Sequence, residues 1–215
     1  MKKNLITLTL LIATTTTFAQ TINWGIKGGV NFAKQVLSPN TLPTGAKALT
    51  DYNLGVIADI DYGKFYLQPG LFFTTKGERF VTGTIDANQT TEGTSSSKFI
   101  LTYLELPVNF FYKAVLAPDA EFHIGGGPYF AYGLAAKESF DGTVYHGGFG
   151  DHSADPTYAG NYYKNPDYGV NFIAGLVLQK YLVDVQYGLG LGNLSYSDTN
   201  TLKNRVISVS VGYKF

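Results

Sequence analysis

Two groups of residues in this sequence are of types that can do chemistry. The first is a set of ionisable side chains on the less apolar side of alternating segments: Lys27, Asp59, Asp61, Lys76, Glu105, His123, Lys137, Asp184 and Lys214. Charges gathered on one side of several strands make either a path for ions or protons or a set of neutralising pairs. Lys27, Lys76, Lys137 and Lys214 balance Asp59, Asp61, Glu105 and Asp184. That balance favours pairing, because an unpaired charge in a narrow interior is costly. The second group is Asp141, His146, Asp151, His152 and Asp155, from which hard-cation ligands or a His/Asp hydrolytic pair could be drawn. Ser153 beside His152 is the one hint of a nucleophile, but adjacency in sequence does not supply nucleophile–base geometry. Polar residues interspersed with glycine read as a hydrophilic surface loop, and a metal in the 138–167 stretch stays open. The expectation is a protein that is not an enzyme and carries no cofactor.

The segments that must position these residues alternate with a period of two. Residues 22–32 place Ile22, Trp24, Ile26, Val30 and Phe32 on one side and Asn23, Lys27 and Asn31 on the other. The same pattern recurs over 52–62, 65–77, 99–112, 122–137, 168–179, 181–193 and 204–215. The last strand sets Ile207, Val209, Val211, Tyr213 and Phe215 against Ser208, Ser210 and Lys214. With 25 Gly, 16 Tyr and 15 Phe beside a single Met, composition agrees with strands and tight turns rather than helices. The fold class expected is all-β, about eight antiparallel strands in an up-and-down barrel. Pro69, Pro107 and Pro128 fall inside these strands and predict bulges, since proline cannot donate to a ladder.

Connections alternate too. Stretches 34–51, 78–98, 138–167 and 195–203 read as long loops, whereas Gly63-Lys64, the Ala117-Pro118-Asp119 region and Lys180 read as short turns. Long and short ends are what a transmembrane barrel has, with short turns in the periplasm and long loops outside. The apolar sides carry no charge, whereas the other sides carry too many for the dry core of a water-soluble barrel. A hydrated lumen and a lipid-facing exterior accommodate both, so the expected location is the cell outer membrane with both termini periplasmic. About eight strands enclose little more than their own side chains, which makes a wide aqueous pore improbable.

Residues 1–19 read as a cleavable signal peptide and 20–215 as the barrel domain: Lys2 and Lys3 precede an apolar run, and Thr17-Phe18-Ala19 supplies small residues for cleavage. Cysteine is absent, which removes disulfides and thiol chemistry. Net charge is zero, so no basic excess points to nucleic acid.

Four segments, LQPGLFFTTKG (67–77), YLELPVNFFY (103–112), GGPYFAY (126–132) and YGLGLGNL (187–194), together with the terminal Tyr213-Lys214-Phe215, resemble the PorT-like outer-membrane β-barrel family of Bacteroidota. The resemblance implies an eight-stranded outer-membrane barrel in which Phe215 is the aromatic signal read by the barrel-assembly machinery. Its implied partners are that machinery during insertion and a secretion-system protein, whereas the residues themselves point to outer-membrane lipid and an extracellular partner at the long loops. From the residues themselves, a structural or surface-binding role through the long loops stands first. An accessory role in secretion, implied by the resemblance, is the alternative.

Overall fold

The computed structural model describes residues 21–38, 46–85, 91–150 and 162–215. The leader expected over 1–19 lies outside them, as do Asp151, His152, Ser153 and Asp155 of the second chemical group. The strands are β1 (Ile22–Ser38), β2 (Ala46–Lys47), β3 (Leu49–Tyr62), β4 (Phe65–Ile85), β5 (Thr91–Ala117), β6 (Ala120–Phe140), β7 (Thr143–Phe149), β8 (Tyr162–Tyr163), β9 (Asp167–Leu178), β10 (Tyr181–Gly190) and β11 (Thr201–Lys214). Eight of them close a ring in the order β1, β3, β4, β5, β6, β9, β10, β11 and back to β1. Every pairing in the ring is antiparallel. Closure runs from Gly25 opposite Lys214 to Ser38 opposite Thr201.

Hydrophobic alternation fixes which side of each strand faces out. Trp24, Leu54 and Val211 are 60%, 61% and 63% exposed, whereas Lys27 and Asp184 are 4% and 1% exposed. This is the reverse of a water-soluble protein, and it suits an apolar solvent outside the ring. Two aromatic girdles edge the apolar band. Tyr62, Phe65, Tyr112, Tyr181 and Tyr213 gather near the chain termini, with Phe65 and Tyr112 ring centroids 5.4 Å apart. Phe32, Tyr52, Phe73 and Tyr132 lie toward the other end, where Tyr52 and Phe73 stack at 6.5 Å. Such amphipathic rings suit the boundary between hydrocarbon and headgroups.

Short turns at Gly63-Lys64, Pro118-Asp119 and Gln179-Lys180 share one end with the chain's first and last strand ends. Gly63 takes φ +80°, where the absence of a Cβ removes the strain, and its N–H is held by the Asp61 carboxylate at 2.8 Å. At the opposite end the strands run further than alternation alone predicts. Stretches expected as loops are partly ladder: β1 continues to Ser38, β4 to Ile85, β5 begins at Thr91, and β7 folds back on β6. Thr, Ser and Gly there carry no apolar period, because above the lipid neither face of the sheet needs one.

The prolines do not produce bulges. Register is the same on both sides of Pro69, Pro107 and Pro128, and the ladder merely lapses for two positions next to Pro69 and Pro107. The bulge with a structural consequence lies elsewhere: Thr102 opposes Ala135 but Tyr103 opposes Gly133, leaving Leu134 as the extra residue of β6. Beyond it the inward and outward positions of β6 exchange.

The run Gly125-Gly126-Gly127 lies where β6 crosses the lapsed part of β5. A Cβ at Gly127 would overlap the Val108 carbonyl oxygen, so backbone approaches backbone there. Gly127→Ala should lower barrel stability by about 1–3 kcal/mol, read as a shift in the urea midpoint in lipid vesicles. An unchanged midpoint would show that the strands can part at no cost.

Candidate lumen charge network

Inward positions on all eight barrel strands deliver polar side chains to one narrow interior. At the end nearest the termini, Lys214 on β11 pairs with Asp59 on β3, whose other oxygen accepts the Gln68 amide at 2.7 Å. Lys113 on β5 pairs with Asp61 at the same rim. One step further in, Asp184 on β10 accepts from two directions: Lys27 on β1, and His123 Nε2 on β6 at 2.6 Å. With a proton on Nε2, the ring's Nδ1 accepts the Tyr66 hydroxyl at 2.9 Å. Tyr66 in turn stacks on Phe111 with centroids 4.8 Å apart. All of His123 is buried.

The middle of the lumen is held by neutral groups. Asn31 donates to Thr74 Oγ1 and to the Thr75 carbonyl, both at 2.9 Å, and its oxygen accepts from Asn53 at 2.6 Å and Ser208 at 2.7 Å. That one amide joins β1, β3, β4 and β11 across the ring. A small polar cavity beside it is lined by Asn109, Asn171 and Gln186. Asn109 Oδ1 and Asn171 Nδ2 have no protein partner there, a place suited to water.

A second charged tier follows. Lys76 on β4 reaches Glu105 at 2.7 Å and Asp167 at 3.2 Å, and its ammonium lies 4.1 Å from the centroid of the Tyr129 ring. Asp167 also accepts from Asn204 at 3.0 Å. Above this tier the interior turns apolar: Leu101, Tyr103, Ala131, Ala136, Tyr163 and Leu194 pack together, with Phe149 and Leu202 against them. Two salt-bridged tiers and an apolar cap thus occupy the bore in sequence. Each ammonium is matched in place, as a low-dielectric surround demands.

The structure places eight of the nine expected lumen residues inside the ring, with Asp61 and Lys214 at the rim. Lys137 is the exception: it is exposed on the outer side, because the extra residue at Leu134 exchanges the faces of β6 and turns Glu138 inward instead. Two charged members escaped the sequence reading for want of one residue at a strand end. Lys113 has the inward parity of Phe111, and Asp167 that of Gly169 and Asn171, each just beyond the expected boundary. Four lysines (Lys27, Lys76, Lys113 and Lys214) thus meet five carboxylates (Asp59, Asp61, Glu105, Asp167 and Asp184), and the expected balance of four against four gives way to an acidic excess.

Of the second chemical group, Asp141 sits in the turn between β6 and β7. It accepts the Ser96 N–H at 2.9 Å and the Ser95 hydroxyl at 2.8 Å, bonds that hold its carboxyl below the usual carboxylate range. They favour the folded tip above the unfolded carboxylate's pKa and are lost as pH falls through the lowered one. His146 stands opposite Lys137 on the neighbouring strand. Asp141 is thus committed to the β5 backbone, and no group of three metal-ligating side chains occurs among the described residues.

Removing one partner of a buried pair leaves a charge without its counterion. Asp184→Asn should cost about 3–5 kcal/mol of unfolding free energy, and adding Lys27→Met should recover part of it. Lys137→Gln should stay within about 0.5 kcal/mol. Equal effects of Asp184→Asn and Lys137→Gln on the urea midpoint would contradict the placement of these two residues.

The sequence profile of the outer membrane protein beta-barrel domain family matches residues 18–196. No curated protein matches the chain. Among solved structures it is similar to Ail, the attachment invasion locus protein of Yersinia pestis, at 12% identity and a TM-score of 0.41, covering 90% of this chain and 98% of that one. It is also similar to Neisserial surface protein A (11%, TM-score 0.45, 89% and 97%) and to OprG from Pseudomonas aeruginosa (14%, 0.42, 91% and 97%). Likeness at these values says nothing of a shared activity.

Proposed function

Because the chain belongs to the outer membrane protein beta-barrel domain family, we propose that it is a non-conducting outer-membrane barrel that acts through the surface at its long-loop end. The observation carrying this reading is the filled bore: the Lys27–Asp184–His123 tier, the Lys76–Glu105–Asp167 tier and the apolar cap follow one another along the axis. Ions crossing it would have to break buried pairs in succession, each break costing several kcal/mol. Function is then left to what rises above the lipid. Strands β4 and β5 continue past the apolar band, and β6 and β7 extend the same sheet. A rigid barrel presenting such a sheet suits adhesion or capture of an extracellular protein. In this reading the termini and short turns face the periplasm.

Planar-bilayer recording of the purified protein is expected to show no steady conductance in the nanosiemens range. Steady openings of that size would overturn the filled-bore reading. In cells, removing residues 82–95 should reduce surface adhesion and leave protein secretion unchanged. Lost secretion with intact adhesion would instead favour the accessory role implied by the PorT-like resemblance.

Phe215 is proposed as the assembly signal. Its N–H donates to the Trp24 carbonyl at 2.9 Å, its ring lies 5.7 Å from that of Tyr213, and its side chain is exposed at the girdle near the termini. Phe215→Ala should reduce the inserted fraction severalfold in fractionated membranes. Insertion at wild-type levels would remove the role.

A further inference from the structure

The outer face of the barrel is not uniformly apolar along its height. On β1 the outward series Ile26, Val30, Phe32 is followed by Lys34, and on β11 the series Val211, Val209, Ile207 is followed by Arg205 and Lys203. The same change occurs on three further strands: Leu71 and Phe73 give way to Arg79 on β4, Leu106 and Leu104 to Lys98 on β5, and Phe130 and Tyr132 to Lys137 on β6. Each basic residue sits just past the far girdle, at the long-loop end.

Register brings these cations face to face. Lys34 is directly opposite Arg205. Arg79 is directly opposite Lys98 on one side and Lys47 of β2 on the other. Lys137 is opposite Ile100, two residues from Lys98, with His146 across from it. Like charges directly opposite on neighbouring strands repel. Among the side chains described, no carboxylate on the outer face offsets them: Asp51, Asp59, Asp61, Glu78, Glu105, Glu121, Glu138, Asp167 and Asp184 fall at lumen-facing positions. The guanidinium contacts are to neutral oxygens, Arg79 to Ser96 Oγ at 3.2 Å and Arg205 to the Gly190 carbonyl.

A row of opposed cations at the edge of a lipid-facing band is relieved when an anion from the surroundings lies between them. At that height the surroundings are lipid headgroups, and the headgroup anion is phosphate. Guanidinium and ammonium groups donate charge-assisted hydrogen bonds to phosphate oxygens, and acyl chains below would lie along the apolar band. We infer that the belt Lys47–Arg79–Lys98–Lys137, continued by Lys34, Lys203 and Arg205, is a binding surface for the phosphates of a membrane glycolipid of the lipid A type. The lumen supplies the complement: its cations are committed to carboxylates, whereas the outer cations are left for the membrane.

This inference rests on the outer-membrane placement and not on the proposed extracellular partner, and its test uses neither conductance nor adhesion. Full-length protein in a zwitterionic detergent would be mixed with bisphosphorylated lipid A or with the same lipid after phosphate removal, and retained lipid counted by native mass spectrometry. Wild-type protein should retain the phosphorylated lipid preferentially. Each charge removed should weaken retention by about fivefold, so R79Q/K98Q should lose about twentyfold and K34Q/R205Q a similar factor. Since these variants relieve repulsion, their thermal transition in neutral detergent should be no lower than that of wild type, which separates lost binding from lost folding. Equal retention of the dephosphorylated lipid, or folded variants that bind like wild type, would overturn the inference. Full displacement by millimolar inorganic phosphate would also overturn it, by showing a site for a soluble anion rather than a lipid headgroup.

Discussion

Everything in this molecule depends on closing the backbone ladder between β1 and β11. In hydrocarbon there is no water to satisfy an unpaired N–H or C=O, and each one left open costs several kcal/mol. The pairing from Gly25–Lys214 to Ser38–Thr201 removes the last open edge of the ring. Once it is made, each strand has an inside and an outside that differ in solvent, and the alternation of side chains follows. A chain end on an aromatic residue at the girdle is part of the same device, since Phe215 extends the closing strand by one hydrogen bond to Trp24.

Closure also creates the problem that the lumen solves. Eight strands leave a bore too narrow for bulk water, so inward residues must satisfy one another. Two kinds of solution are stacked along the axis. Charged tiers use ammonium–carboxylate pairs reinforced by His123, Tyr66 and Asn204. The tier between them uses Asn31, whose amide makes bonds to several strands at once. A barrel tied across its bore in this way is a rigid platform, and the same ties close it to ions.

The two ends are unlike for electrostatic as well as topological reasons. Tight turns near the termini keep charges such as Asp61 and Lys113 paired at a solvated rim. At the other end, strands outrun the apolar band, and the outer face takes up lysine and arginine while Glu78, Glu138 and Asp167 are buried on the lumen side. Acid inside and base outside at one level divide the protein's charge between its own lumen and the surrounding headgroups.

The sequence by itself determined the fold class, the short turns and the outward apolar faces, because these follow from a period of two read locally against two solvents. It placed Lys27, Asp59, Glu105, His123 and Asp184 on the lumen side for the same reason. What it could not carry was anything that depends on a partner strand. A single inserted residue at Leu134, visible only from the pairing with Thr102 and Tyr103, moved Lys137 outside and Glu138 in. The prolines, which locally suggest bulges, are absorbed by ladder gaps because neighbouring strands hold the register. Which lysine meets which carboxylate, and that Lys34 faces Arg205, are facts of register between segments up to the whole chain apart. Alternation is a property of one strand, whereas register is a property of two, and only the closed ring supplies the second.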